Sequence, residues 1–218
     1  VFEPGMAILV NNGRISRIDQ SEILLEEHNG CEIVDLGGKA IIPGLVDAHT
    51  HLLWAGDRSN EISLKQSGLS YSDISKMGGG IGHTVSQTKV ASDAELIELG
   101  LSRMSEALRQ GTTHMEVKSG YGLSTESELR LLEIADAISG HEALPSLDLT
   151  WLGAHAAPKG KTIDSYTEEI LSEQLPAVIE QGLARSADVF CEPGWFSLEN
   201  TEDILKASRK GGLSLRLH

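Results

Sequence analysis

AIIPGLVDAHTHLL, residues 40–53, decides how the rest of the chain is read. A Pro-Gly pair interrupts an apolar run that ends in Asp47-Ala48-His49-Thr50-His51. In a strand, residues two apart share a face, so His49 and His51 are predicted to project side by side from a strand end. Two neutral imidazoles placed so can reach one divalent metal at about 2.0–2.1 Å. An HxH pair alone is more often two hydrogen-bonded structural histidines, so the reading depends on its surroundings.

Downstream, strand-like runs alternate with helical segments. The runs are TTHMEVKSGY (112–121), LDLTWLGAHAAP (147–158), ADVFCEP (187–193) and LSLRLH (213–218). Between them, Ser92 with Glu95, Thr125 with Glu128 and Ser165 with Glu168 have the spacing of capping boxes. The first two of these helices should stop at Gly111 and Gly140, and the third near Gly182. A fourth, EDILKASRK, should end at Gly211-Gly212. This alternation predicts an α/β fold with a parallel sheet. The near-continuous apolar strands imply that both sheet faces are covered. No GxGxxG follows the first strand, which argues against a dinucleotide fold. Histidines at strand C-terminal ends favour a TIM-type (β/α) barrel. Such a barrel has eight strands in about 250 residues. Five are legible here, so the chain is expected to be truncated after the fifth. Residues 1–40 read instead as short strands around the turn signals of MAILVNNGRISRID (6–19) and Gly37-Gly38, part of a small β-sandwich subdomain. The predicted domains are thus 1–40 and 41–218.

Of the 218 residues, 40% are hydrophobic, enough for a sizeable core. The formal charge of −14 repels phosphate backbones and argues against nucleic acid as a partner. No run of about 18 apolar residues predicts a membrane span, and the start does not read as a signal peptide. Two cysteines, Cys31 and Cys191, make no disulfide framework, which fits a cytoplasmic setting.

An apolar strand with Pro-Gly that ends in HTH resembles the amidohydrolase superfamily. Further stretches resemble one family within it, the imidazolonepropionases: HLLWAGDRSNEI (51–62), MGGGIGHTVSQT (77–88), EVKSGYGL (116–123), GAHAAP (153–158) and DVFCEPGWF (188–196). The resemblance spans essentially the whole chain, in order, and matches the N-terminal half of the family. It implies metal-dependent hydrolysis of the cyclic amide of 4-imidazolone-5-propanoate to N-formimidoyl-L-glutamate, in histidine degradation. One metal, zinc or iron, would be held by His49, His51 and His218 with a later aspartate. A proton-shuttling glutamate is expected just beyond His218, so no catalytic acid–base is assigned within the chain. Small-molecule substrate is the implied partner, and a homodimer is compatible.

The substrate-binding candidates have physical readings beside the resemblance. Arg58, on the loop after the HTH strand, can clamp a carboxylate bidentately. Alone it would be read as a surface ion-pairing residue. Tyr121 can donate a hydrogen bond and pack on a planar ring. His155 ends its strand and is expected against substrate. The glycine run 78–80 permits close backbone approach to a ligand. Lys118 is read as hydrogen-bonding or structural, Cys191 as a buried small hydrophobe, and Glu192 as support at the site mouth. His28 and His141 read as surface residues, and His83 and His114 stay unassigned. Two rival readings remain: another cyclic amidohydrolase, of the dihydroorotase or hydantoinase kind and often with two metals, and a non-catalytic metal-binding fragment. The 218 residues alone are expected to be inactive.

Overall fold

The computed structural model describes residues 4–218, in two compact units that divide between Pro43 and Gly44. In the first unit β1 (Met6–Asn11) pairs antiparallel with β2 (Arg14–Gln20). Asn12 and Gly13 between them have φ of 50° and 71°. Two successive positive φ values are what a two-residue type I′ hairpin turn requires, and Asn-Gly supplies them. The expectation of strands throughout this region fails at α1 (Ser21–Glu27). SEILLEE is made largely of good helix formers, and that local preference prevails. Gly37 and Gly38 form a turn with positive φ, but residues 31–44 contain no strand to flank it.

The second unit is α/β. Its strands β3 (Leu45–Thr50), β4 (Thr112–Lys118), β5 (Ser146–Ala154), β6 (Ser186–Val189) and β7 (Ser214–Leu215) form one parallel sheet, in that order. β3 approaches β4 so closely that a Cβ on Gly44 would collide with the Thr113 side chain. Beyond β7 the chain keeps pairing: Arg216 N–H donates to Ala187 at 2.8 Å, and His218 N–H to Val189 at 3.2 Å.

Between β3 and β4 run four helices: α2 (Asn60–Gln66), α3 (Tyr71–Lys76), α4 (Gly80–Val90) and α5 (Asp93–Arg109). Only α5 is legible from periodicity. The buried positions of α4 are Gly80, Thr84 and Thr88, so its inner face has helical spacing but no apolar stripe. After β4 comes α6 (Thr125–Ile138); after β5, α7 (Ile163–Glu169), a π-helical turn at Ile170–Gln174 and α8 (Leu175–Gln181). α9 (Leu198–Lys210) joins β6 to β7.

The caps correct the sequence reading in detail. Ser92 accepts from Glu95 N–H as expected. The cap of α6 is Ser124, not Thr125, and that of α7 is Thr162, paired reciprocally with Ser165. The single long helix expected before Gly182 is interrupted by the π turn. That turn brings Gln174 into the core, where its Oε1 accepts from Trp151 Nε1 at 2.9 Å and its amide donates to Tyr166 Oη at 3.2 Å. A side chain at Gly153 would overlap the Gln174 carbonyl.

The two faces of the sheet differ, which qualifies the expectation of uniformly apolar strands. Met115, Val117, Leu149, Trp151, Ala187 and Val189, all odd-numbered, join the helices in one apolar core. The even-numbered Glu116, Lys118, Thr150 and Asp188 lie on the other face and are equally buried. Strand alternation thus separates a packing face from a charged one.

Candidate metal and substrate site

The charged face is a chain of ion pairs. Lys118 Nζ lies 2.7 Å from Glu116 Oε1 and 2.6 Å from Asp188 Oδ2, with all three side chains almost fully buried. Arg216 Nη2 donates to Asp148 Oδ2 at 2.8 Å, and its Nε lies 3.4 Å from Glu116. Buried charges are retained only when paired, and alternation along neighbouring strands supplies the partners here.

At the C-terminal ends of these strands the chain collects aromatic nitrogen. His49, at the end of β3, and His218, past β7, have ring centroids 4.8 Å apart. Asp188 Oδ2 accepts from His218 Nδ1 at 3.1 Å, which fixes the orientation of that ring. One ligand atom from each of His49, Asp188 and His218 lies within 4.8 Å of the other two. His218 also stacks on Phe190, 5.0 Å away and within 5° of parallel.

His51 is placed differently from His49. β3 ends at Thr50, and strict alternation ends with it. The two rings stand 6.4 Å apart at 80°. His51 instead stacks on His155, at 4.8 Å and 15°, and lies 4.6 Å from the Tyr121 ring. Burial lowers His51 well below the usual imidazole range, with the neighbouring His155 and His49 acting in the same direction. His155 is lowered to about 4, chiefly by burial, so it is neutral near pH 7. Its Nδ1 lies 2.8 Å from the Gly120 carbonyl; the ring therefore donates there and keeps Nε2 as an acceptor. His49 is lowered as well, first by desolvation and then by Lys118 and His218.

Neutral histidines are competent donors to a cation. Asp188 Oδ1 and His51 Nδ1 are buried without a hydrogen-bond partner, so the cluster has coordinating capacity unspent by the protein. The donor set, nitrogen with carboxylate oxygen, suits a divalent transition metal.

Tyr121 and His155 owe their places to α6. Glu128, fully buried, accepts N–H bonds from Gly120, Gly122 and Leu123, each at 2.7 Å. Burial pushes its carboxyl up, against the pull of those donors. The loop so held presents the Tyr121 ring and the Gly120 carbonyl. Leu123, with φ of 49°, takes a left-handed conformation within it.

Arg58 lines a cavity of about 440 Å³ with Trp54, Glu61, Lys65, Thr84 and Tyr121. Its guanidinium is held bidentately by Glu61, Nε to Oε1 at 2.9 Å and Nη2 to Oε2 at 2.8 Å. The adjoining segment is fixed by Arg103, which donates to the Leu52 and Trp54 carbonyls and stacks 3.8 Å above the Trp54 ring.

The remaining sequence candidates separate as follows. Lys118 is a buried ion-pair residue. Cys191 is half-exposed rather than buried, because its strand ends at Val189, and Glu192 is exposed on the following turn. Glycines 78 and 79 precede α4, and Gly80 opens it. His28, His141, His83 and His114 stand outside the cluster. As site residues, Asp188, Glu61 and Glu116 were passed over in the sequence, and Glu128 was read only as a helix-capping residue. The available signal was ionisable residues two apart in apolar strands, as in Glu116-Val117-Lys118.

A protein of Shewanella sediminis named imidazolonepropionase is 44% identical over 215 residues, covering 97% of this chain and 52% of its own length. One of Xenopus tropicalis named probable imidazolonepropionase is 39% identical over 227 residues, covering 100% of this chain and 52% of its own. The chain is a homologue of the imidazolonepropionases. It spans about half the length of these curated relatives. A 5-methylcytosine deaminase from Klebsiella pneumoniae, solved with phosphonocytosine, superposes with a TM-score of 0.64 at 15% identity, covering 100% of this chain and 48% of that one. That likeness is one of fold. No family model matches the chain.

Proposed function

We propose that this homologue carries the metal-binding and substrate-binding part of an imidazolonepropionase, which hydrolyses the cyclic amide of 4-imidazolone-5-propanoate to N-formimidoyl-L-glutamate. The observation that carries the reading is the convergence of His49, His51, His155, Tyr121 and His218 at the ends of parallel strands, beside an arginine-lined cavity. His49, His51 and His218 would hold one zinc or iron ion, with Asp188 fixing the ring of His218. The metal's contribution when bound is to lower the pKa of water and polarise the amide carbonyl. The chain's own groups do the rest of what is assigned here. Arg58 receives the propionate, Tyr121 packs on the ring, and the unprotonated Nε2 of His155 accepts a hydrogen bond from it.

The sheet belongs, on this reading, to a (β/α) barrel. Sequential strand order and sites at strand C-terminal ends support this, since a doubly wound sheet reverses its order at the ligand crevice. The first unit would form part of a β-sandwich, and exposed Val10, Ile15, Ile33 and Val34 supply apolar surface for one. No described helix is long and apolar enough to cross a membrane. A cytoplasmic setting is proposed from charge and cysteine content.

The test is turnover of 4-imidazolone-5-propanoate by the complete natural protein, followed as loss of imidazolone absorbance with identification of the product. Formation of N-formimidoyl-L-glutamate is expected. Turnover of dihydroorotate or a hydantoin in its place would overturn the assignment.

A further inference from the structure

The glycine run at 78–80 and the Arg58 loop meet at one side chain. Glu61, in the first turn of α2, is 4% exposed although it borders a cavity. Its two oxygens take the Arg58 guanidinium bidentately, and Oε1 also accepts the Gly80 N–H at 2.7 Å, at the N-terminus of α4. A Cβ on Gly79 would come within 2.8 Å of that same oxygen. The run therefore makes room for a buried carboxylate and caps it with a backbone donor. A helix N-terminus favours negative charge there. Among the described residues Arg58 Nη1 has no hydrogen-bond partner, and it is the end of the fork that Glu61 leaves uncommitted.

We propose that Glu61 is a positioning residue for carboxylate recognition, holding the Arg58 fork so that its uncommitted Nη1 is presented to the carboxylate arm of a ligand in the cavity. This rests on the functional reading above. The geometry favours it over a purely structural ion pair for two reasons. The pair lines the cavity with Tyr121 and Lys65 rather than lying inside the core. The fork is also gripped on one side only, through Nε and Nη2. Arginine side chains lose rotamer freedom when they bind, and a guanidinium already held loses less. Opposing this, Glu61 neutralises Arg58, and removing it would raise the positive charge facing an anion. The two effects have opposite signs in the experiment, which makes it decisive.

The experiment compares Glu61→Gln, Glu61→Asp and Arg58→Ala in the complete natural protein. It uses two substrates, 4-imidazolone-5-propanoate and the same ring with a propyl arm. It also measures calorimetric binding of 3-(imidazol-4-yl)propanoate against 4-propylimidazole. Glu61→Gln is expected to lower kcat/KM and affinity for the carboxylate-bearing member of each pair roughly tenfold, the scale of coupling between contacting residues. The carboxylate-free member should change by less than about twofold, and Glu61→Asp should fall between wild type and Glu61→Gln. In the Arg58→Ala background, Glu61→Gln should add little. An unchanged or improved preference for the carboxylate overturns the proposal, as does an equal loss for both members of a pair. If Glu61→Gln does not fold, Glu61→Asp, which keeps the charge, decides by the same preference. If wild type turns over neither substrate, the functional reading fails, and the calorimetric preference still decides the role of Glu61.

Discussion

Glu61 shows how a residue that spacing analysis passes over can organise a site. Its carboxyl is held down at about 2 rather than 4.5, first by the Arg58 hydrogen bonds and then by the Gly80 N–H acting against burial. Because the folded value lies below the unfolded one, its contribution to stability is present above about pH 4.5 and is lost as pH falls toward 2. Glu61→Gln should therefore flatten the acid limb of the stability curve between those values, measured as the denaturation midpoint against pH. An acid limb as steep as that of wild type would show that Glu61 does not carry it. His49 and His51 stood out because HTH ends an apolar run, whereas His155 and His218 were singled out by the family resemblance. Asp188 was not, although DVFCE was noticed, because its role depends on β6 lying between β5 and β7, and that neighbourhood is a property of the fold. Arg58 stood out in the sequence as a candidate clamp, whereas its bidentate restraint by a residue three positions on was not foreseen.

At the scale of the element, strand and helix alternation was read from the sequence, and the strand ends were read less well. The run at 40–53 yields only Leu45–Thr50 as strand, so His51 leaves the expected alternation and turns to His155 and Tyr121. α2, α3 and α4 escaped because periodicity needs an apolar stripe, and α4 buries threonine and glycine. The Thr125–Glu128 spacing looked like a capping box, but Glu128 turns inward to hold the 120–123 loop, and Ser124 takes the capping role. That exchange gives a prediction. Glu128→Gln replaces one acceptor oxygen by an NH2 group facing backbone donors in a buried site. Leaving a buried donor unsatisfied costs about 1–3 kcal/mol. The variant of the complete protein should melt several degrees lower and bind substrate less tightly, since both Tyr121 and His155 depend on the loop. Thermal denaturation reads the first effect, and an unchanged midpoint would show that the three N–H bonds contribute little.

For the whole molecule, an α/β architecture followed from alternation and from the absence of a dinucleotide fingerprint. The division of β4 and β6 into an apolar and a polar, charge-bearing face was hidden by the high apolar content of the runs. β3 and β7 each have one partner in the sheet, and Leu45, Val46 and Leu217 near those edges are exposed. Exposed edges with apolar side chains invite pairing. The 218-residue chain on its own should associate, as read by sedimentation across concentration, and a monodisperse monomer would argue that these edges are protected.

The central claim is that the histidine cluster holds a metal on which hydrolysis depends. The most direct measurement is metal content and imidazolone turnover on the same samples of the complete natural protein: wild type, His49→Ala, His51→Ala and His218→Ala. The account predicts about one zinc or iron per chain in wild type, and metal and turnover lost together in each variant. Full metal occupancy in any of the three, or turnover that persists in metal-free protein, would contradict it.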